Sequence, residues 1–282
     1  MRLGAFSLVV VDAGWHALDG GSLFGIVPKP LWEPRFPADA RNRVDLAIRL
    51  LLLETGERRI LIDAGIGNKF TVGGKAMYKL RQPVDCLRGA LVGVGVDPET
   101  ITDVLVTHGH FDHVGGLTRR TEEGEIVPTL PRARVHIQRR AFEWAMSPSA
   151  KDAGSFHATD LPPLLEAGIL RLLDGPQDLF DGVTLLLSEG HTVAQQMVLV
   201  DGGVDGKLLC CGDLLPTTGH LNLAWISAHD LHPLVTVDEK QQILTQATTE
   251  GWIVFFGHDP LVPACRVANE SGQFIVAQRV DL

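Results

Sequence analysis

The sequence predicts an α/β protein of four layers, helix, sheet, sheet and helix (αββα), in one domain spanning residues 1–282. Short segments such as 104–106 are continuously apolar, as strands buried on both faces are, and such strands need helices covering the sheets. Several of these segments end at a histidine or an aspartate, mostly beside a glycine. Since no linker-like segment divides the chain, we expect one folding unit.

Apolar runs and glycine-rich interruptions alternate along the N-terminal half of the chain. They predict, in order, a strand at 3–11, a loop at 13–42, a hairpin at 45–54 and 59–62, a loop at 66–83, a helix at 87–94 and a strand at 104–106. The first loop is rich in glycine, proline and aromatic residues and has no period. Long loops of this kind commonly line or cover binding sites, so we expect it to lie over the rest of the fold.

The C-terminal half repeats this alternation. It predicts a strand at 134–137, a helix at 139–146, a loop at 147–163, strands at 183–187, 196–200 and 207–211, a loop at 214–234, a helix at 238–250 and a strand at 252–256. Asp238 is the predicted N-cap of that helix.

Composition excludes several classes of protein. Lys and Arg number 25 against 34 Asp and Glu, a net charge of −9, and no basic run is present, which argues against a nucleic-acid partner. No run approaches the roughly 20 apolar residues that span a bilayer, and no signal peptide is evident. The four cysteines show no metal-type spacing and are expected to be reduced, so we expect a soluble cytoplasmic protein with no membrane partner.

Four polar side chains that bind metals are crowded directly after the strand at 104–106. They are His108, His110, Asp112 and His113. The first two are two residues apart, so in extended chain they leave the backbone on the same side, whereas the other two follow a turn. One ion would need only some of these groups, and the full set indicates two ions.

Apolar strands elsewhere in the chain end in the same way. The polar residues at five strand ends are Asp63, His108, His191, Asp213 and His258. Because α/β sheets bind ligands where strand ends and their loops converge, we expect these side chains to meet in space.

The pattern His108-x-His110-x-Asp112-His113, followed by Gly-His191, Gly-Asp213 and Gly-His258, resembles the metallo-β-lactamase superfamily. The resemblance implies the αββα sandwich with a dinuclear metal site. It implies one ion on His108, His110 and His191, a second on Asp112, His113 and His258, and Asp213 bridging the two. Asp63 would orient a ligating histidine by a hydrogen bond. Imidazoles with carboxylates favour two Zn²⁺ ions, while iron, manganese and cobalt remain open.

Two further segments, 19–32 and 212–220, resemble the quorum-quenching lactonases and the neighbouring organophosphate hydrolases. In those proteins the N-terminal loop shapes the pocket. The candidate substrate-binding residues are Phe24, Trp32 and Phe70, whose loops precede the motif strands, and His220, seven residues after Asp213. Loop anchoring for the aromatic residues and a surface or supporting position for the histidine are the open alternatives. The best-known lactonases also carry a pocket tyrosine. The only tyrosine here is Tyr78, in an early loop, so that role is absent or filled by another residue.

The function predicted from these features is hydrolysis of a small-molecule lactone or related ester. A hydroxide bridging the ions would attack the carbonyl, and Asp112, as ligand and base, would pass a proton to the leaving alkoxide. Phosphotriester hydrolysis, thioester hydrolysis of the glyoxalase II kind and a non-catalytic binding module are the alternatives. A homodimer is expected only by analogy with lactonases. His16, His136 and His157 receive no role, and His229 and His232 are expected in a solvated loop.

Overall fold

The computed structural model describes residues 1–282 and contains two seven-stranded mixed sheets that pack face to face. The first sheet has the strand order β1-β2-β3-β4-β5-β8-β9. Its strands are β1 (Arg2–Leu3), β2 (Phe6–Asp19), β3 (Arg43–Glu54), β4 (Arg59–Ile62), β5 (Asp103–Leu105), β8 (Arg134–Gln138) and β9 (Leu170–Leu173). A separate hairpin pairs β6 (Thr118–Arg120) with β7 (Ile126–Pro128).

The second sheet runs in chain order from β10 to β16. Its strands are β10 (Gln177–Phe180), β11 (Val183–Ser188), β12 (Gln195–Asp201), β13 (Lys207–Cys210), β14 (Ile253–Phe255), β15 (Ala264–Glu270) and β16 (Gln273–Arg279). The helices are α1 (Gly20–Phe24), α2 (Lys29–Trp32), α3 (Val72–Met77), α4 (Cys86–Gly93), α5 (Phe111–Val114), α6 (Arg139–Met146), α7 (Pro162–Glu166) and α8 (Pro233–Glu250). None of them has the length and apolar character needed to cross a membrane.

Three apolar layers hold the sheets and helices together. Along β3, Leu50 and Leu52 pack on the outer face with residues of α4, α6 and α7, whereas Leu51 and Leu53 point into the layer between the two sheets. The third layer lies between the second sheet and α8. Alternate residues of one strand thus serve two cores, which explains why these strands read as continuous apolar runs. The predicted four-layer αββα fold is confirmed.

The prediction was wrong at the start of the chain, where β2 continues to Asp19 instead of giving way to a loop at residue 13. The pairing of β2 with β3 is interrupted by a bulge between Asp12 and Trp15, and Gly14 within it has φ +114°. A glycine in a bulge re-aims a strand without ending it. The residues from Trp15 to Asp19 therefore belong to β2 and pair with β3 in the first sheet.

Two C-terminal predictions also need correction. The helix α8 begins at Pro233, not at Asp238, because proline at the first helical position lacks only an N–H that would be unpaired there anyway. The β15–β16 hairpin, which forms the edge of the second sheet, was not predicted.

Topology brings the polar strand ends together. In the first sheet β4 and β5 are parallel, and in the second sheet β13 and β14 are parallel. The strand β11 points the same way as β13, because β12 is antiparallel to both. The carboxyl ends of these five strands therefore deliver their following residues to one rim of the sandwich.

Candidate metal centre

Histidines and aspartates from both sheets meet at this rim. Three groups of donor atoms each lie within 4.8 Å of one another: His108, His110 and His191; His108, His113 and Asp213; and His16, Asp112 and His258. The seven side chains proposed from the sequence as ligands are all present in these groups. His16, which was given no role, joins them.

Asp213 stands between the two halves of the cluster. Its Oδ1 lies 3.4 Å from Nε2 of both His113 and His258, while its Oδ2 lies 3.6 Å from Nε2 of His191. Asp112 lies on the side of His113 and His258, with its Oδ2 3.7 Å from Nε2 of His258. One carboxylate therefore presents a separate oxygen to each half, which is the arrangement a bridging ligand needs.

Hydrogen bonds behind the cluster fix the orientation of two imidazoles through Asp63. Its Oδ2 lies 2.8 Å from Nδ1 of His113. The same carboxylate accepts hydrogen bonds from the Thr107 amide and hydroxyl, and that hydroxyl lies 3.1 Å from Nδ1 of His108. With Nδ1 occupied, each ring has Nε2 free to face the centre.

Two other histidines are held in the same way by residues distant in sequence. Nδ1 of His191 lies 2.8 Å from a carboxylate oxygen of Asp230, which is buried. Nδ1 of His258, on the second sheet, lies 2.8 Å from the backbone oxygen of Ala47 on β3 of the first sheet. Imidazole nitrogens are thus aimed inward by partners on both sheets.

Asp230→Asn should weaken metal binding at the group around His191 by about 10- to 100-fold, the effect expected when a carboxylate behind a ligating imidazole is lost. The amide keeps the shape but removes the charge that favours Nδ1–H. Metal affinity measured by competition with a chromophoric chelator checks this. Asp238→Asn, on the exposed surface of α8, is the matched control, and equal affinities in the two variants would contradict the prediction.

Close backbone contact explains the two glycines after Asp112-His113. A Cβ on Gly116 would fall 2.0 Å from the Ala64 oxygen, and one on Gly115 would fall 2.2 Å from the Ile66 oxygen. The amide of Ala64 in turn donates to the His113 oxygen at 2.7 Å. The glycines therefore let the segment after β4 lie against α5, which places Asp63 beside His113.

Burial and neighbouring charges set the protonation of the cluster. Burial lowers the pKa of His108 and His110 well below the ordinary value, which keeps both rings neutral as ligands require. Burial alone would raise the pKa of Asp213, but His113 and His258 outweigh it and hold that pKa well below its usual range. Burial would lower the pKa of His113, yet the carboxylates of Asp213, Asp63 and Asp112 raise it well above normal.

Several buried polar atoms of the cluster have no hydrogen-bond partner in the protein. They include Nε2 of His108, Oδ1 of Asp213 and both ring nitrogens of His16. Nε2 of His258 and Nε2 of His113 face each other at 3.1 Å. Each unpaired buried group lowers the stability of the fold by about 1–3 kcal/mol. A bound cation that accepts these lone pairs would remove that cost. Imidazoles and carboxylates in this number fit divalent transition-metal ions, whose binding would displace the protons that some of these rings carry.

A cleft with an accessible volume of about 220 Å³ opens beside the cluster. Four of the clustered residues form its floor: His110, Asp112, His191 and Asp213. Its walls combine apolar and polar groups: Leu18, Tyr78, Phe111, Lys151, Gly154, Ser155 and His229. The mixed apolar and polar lining suits a small organic molecule.

Tyr78 reaches this cleft although it lies in an early loop. Burial raises the pKa of its hydroxyl, and the nearby carboxylate of Asp112 raises it further. Its ring packs edge-on against Phe70. The sequence left open which residue takes the place of a pocket tyrosine, and the structure brings the single tyrosine of the chain to the cleft wall.

The four predicted substrate-binding residues are not among those that line the cleft. Phe24 and Trp32 are fully buried in an apolar cluster that supports the N-terminal segment, with their rings 5.3 Å apart. His220 stacks on Phe24 and lies 3.1 Å from the backbone oxygen of Leu23. Phe70 contacts Phe111 and so lies behind the cleft wall. These residues anchor loops, the alternative that the sequence left open for the aromatic residues.

Trp32→Ala should lower the free energy of unfolding by about 3–5 kcal/mol, because it empties a fully buried site and removes one of the two rings stacked on Phe24. Urea denaturation followed by circular dichroism measures the change. Leu31→Ala, at the exposed neighbouring position, is the control and should cost little. A Trp32→Ala protein as stable as the control would show that the ring is not a packing anchor.

The fold and this rim define the class of protein. The model of the metallo-β-lactamase superfamily matches residues 46–258, and the chain belongs to that superfamily.

Individual relatives agree with this assignment. An N-acyl homoserine lactonase from a Bacillus species is 27% identical over 228 residues, which cover 77% of this chain and 82% of the relative. The N-acyl homoserine lactonase AiiA of Bacillus thuringiensis subsp. kurstaki is 25% identical over 80% of this chain and 87% of its own. The prediction that the chain is an enzyme of the hydrolase class is confirmed by such relatives.

Solved structures show the same fold over the whole chain. A probable metal-dependent hydrolase from Staphylococcus aureus superposes with a TM-score of 0.88, 25% identity and full coverage of both chains. AidC, described as a dizinc quorum-quenching lactonase and solved with N-hexanoyl-L-homoserine product, superposes with a TM-score of 0.80 and 21% identity, covering 100% of this chain and 97% of its own.

Sequence reasoning missed His16, Asp230, Lys151 and His229. Asp230 and His229 lie in a stretch read as a solvated loop, yet one contacts His191 and the other lines the cleft. The ammonium of Lys151 donates to the backbone oxygens of Ala228, His229 and Asp230 at 2.9–3.0 Å. No local pattern marks His16, because the residues after Gly14 do not alternate regularly between buried and exposed positions.

Proposed function

We propose that this protein is a dinuclear metal-dependent hydrolase that opens lactones or cleaves related carboxylic esters. The observation that carries the proposal is the convergence of imidazole nitrogens and carboxylate oxygens, held from behind by hydrogen bonds, on the floor of an open cleft. Family membership and the lactonase relatives supply the reaction class and the ester linkage.

The proposed ligands divide into two sets. His108, His110 and His191 would hold one ion, Asp112, His113 and His258 would hold the second, and Asp213, which lies between the two sets, would serve both. His110 differs from the other histidines because its Nδ1, rather than Nε2, lies near the partner nitrogen of His191, at 3.2 Å. We assign Zn²⁺ to these positions from the donor types, with other divalent transition ions as alternatives.

Two divalent ions held by these residues would supply an activated water near neutral pH and polarise the carbonyl of an ester. The protein's own contribution is positioning and proton transfer. Asp112 lies both in the cluster and on the cleft floor, so its carboxylate can take a proton from the attacking water and return it to the alkoxide leaving group. Tyr78 brings a phenol hydroxyl to the same cleft, where we place it among the substrate contacts.

A small neutral ester fits the cleft better than a polymeric substrate. The lining gives apolar contact at Leu18 and Phe111 and hydrogen-bonding groups at Ser155 and His229. The non-catalytic alternative is disfavoured because all seven proposed donors are retained and clustered. Phosphotriester and thioester hydrolysis would use the same ions and are decided by experiment.

The test is a substrate panel on protein stripped with chelator and reloaded with Zn²⁺. Proton release is followed with an N-acyl homoserine lactone, a simple γ-lactone, an aryl ester, a thioester and a phosphotriester. We expect the highest kcat/KM on a lactone, within the roughly 10⁴–10⁸ M⁻¹s⁻¹ range of ordinary enzymes, and no turnover by the stripped protein. A thioester or phosphotriester preference of tenfold or more would replace the proposed substrate class.

A further inference from the structure

His16 is a buried histidine for which the proposed site gives no role. It lies on β2 opposite Leu46 of β3, and its side chain is fully buried. Both of its ring nitrogens are buried without a hydrogen-bond partner, whereas His108, His110, His136 and His229 each have one such nitrogen. The other buried histidine in a strand of this sheet, His136, differs because its Nε2 lies 2.9 Å from a carboxylate oxygen of Asp103. A ring buried without partners indicates a missing ligand.

Two titratable side chains beside His16 belong to the second ion's proposed set. Its Nε2 lies 4.0 Å from Oδ2 of Asp112, and its ring centre lies 5.3 Å from that of His258. Donor atoms of the three residues all lie within 4.8 Å of one another. Two donors on one zinc ion are at most about 4.2 Å apart, because each bond is about 2.0–2.1 Å long. The separation of His16 from Asp112 is within that reach.

We propose that His16 is a direct ligand of the second metal ion, an inference that rests on the proposed dinuclear function. The first ion then has His108, His110, His191 and Asp213 as protein donors. The second has one donor more, from Asp112, His113, His258, Asp213 and His16. The two positions differ in coordination number, and the second suits an ion that accepts five or six donors, such as Co²⁺, Mn²⁺ or Fe²⁺, better than the first does.

The alternative role for His16 is to orient Asp112 without touching the ion. Partners that act through a ligand contribute about 10- to 100-fold to metal affinity. Loss of a direct ligand should exceed that range and should also change the electronic spectrum of a bound Co²⁺ ion. The Co²⁺ spectrum and the distance from the His16 ring to the ion therefore distinguish direct ligation from orientation of Asp112.

The experiment loads the stripped full-length chain with Co²⁺ under chelator competition. Wild type, His16→Gln and His136→Gln are compared by ions bound per chain and by visible absorption. His136→Gln is the matched control, since it also alters a buried histidine of the first sheet but leaves the cluster intact. We expect the control to match wild type, and His16→Gln to keep the first ion while binding the second more than about 100-fold more weakly, with a changed spectrum.

A second measurement does not depend on the variant's folding. Anomalous difference maps from crystals of the Co²⁺-loaded wild type should place a ring nitrogen of His16 about 2.0–2.3 Å from the second ion. Two bound ions with His16 more than 3 Å from both, or a His16→Gln protein with unchanged affinity and spectrum, would overturn this inference and leave the dinuclear site intact. A wild type that binds fewer than two ions would overturn the proposed function, and the role of His16 with it.

Discussion

Asp213→Ala should leave the protein with at most one tightly bound metal ion per chain and lower kcat/KM for its best substrate by more than about 10³-fold. Loss of a single oxyanion-stabilising group costs about 10²- to 10³-fold, and the loss of Asp213 would weaken the binding of both metal ions that act in this way. The side chain presents one oxygen to His113 and His258 and the other to His191, so its removal affects both proposed ion positions at once.

The measurements are ions per chain by plasma mass spectrometry and initial rates on the same preparation. Asp238→Ala is the control, because it deletes an equal side chain from the exposed face of α8, and it should behave as wild type. Circular dichroism confirms that the Asp213→Ala chain is folded. A folded Asp213→Ala protein with two ions and ordinary rates would remove Asp213 from the centre.

Asp112→Asn should lower kcat by about 10²- to 10⁴-fold, the contribution of a positioned acid–base group, while a large part of the metal content is retained. The amide preserves the shape of the side chain and one oxygen toward the second ion, but it cannot carry the proton between water and leaving group. The effect should be largest on alkyl lactones, whose alkoxide needs protonation, and small on an aryl ester with an acidic leaving group.

The comparison of these two substrates is the decisive readout for Asp112. Asp238→Asn serves again as the control and should leave both rates unchanged. If Asp112→Asn slowed the alkyl lactone and the activated aryl ester equally, Asp112 would be acting as a ligand alone. Unchanged rates on both substrates would exclude either role.

The sequence predicted the fold and most of the cluster because both depend on local patterns. A continuous apolar run predicts a strand buried on both faces. A polar residue at the end of such a run predicts a side chain at the rim where the strands end. His108, His110, Asp112 and His113 lie within six residues, so their grouping needed no tertiary information. The parallel pairing of β4 with β5 and of β13 with β14 then added the distant members.

Residues that act through a single long-range contact could not be predicted. Asp230 follows a polar stretch and touches the cluster only through His191, 39 positions away. His16 lies beyond a bulge glycine that reads as the end of a strand, since glycine in a loop and glycine in a bulge have the same local signature. Their roles depend on which segments become neighbours in the folded protein, and local sequence patterns do not predict those neighbours.

The aromatic residues of the N-terminal segment illustrate a different limit. A loop that lines a pocket and a loop that packs down on its own core have the same composition. Phe24 and Trp32 therefore fitted either role, and only their complete burial identified them as anchors. Tyr78 was judged by its position in the chain, whereas its loop folds back onto the cleft beside Asp112.

The central claim is that seven side chains from both sheets hold a pair of cations. Crystals of the Zn²⁺-loaded wild type, measured on both sides of the zinc absorption edge, test it most directly. The account predicts two anomalous peaks about 3.5–4 Å apart, one among His108, His110 and His191 and the other among Asp112, His113 and His258, with Asp213 between them. A fully loaded crystal with a single peak, or with peaks elsewhere on the protein, would contradict it.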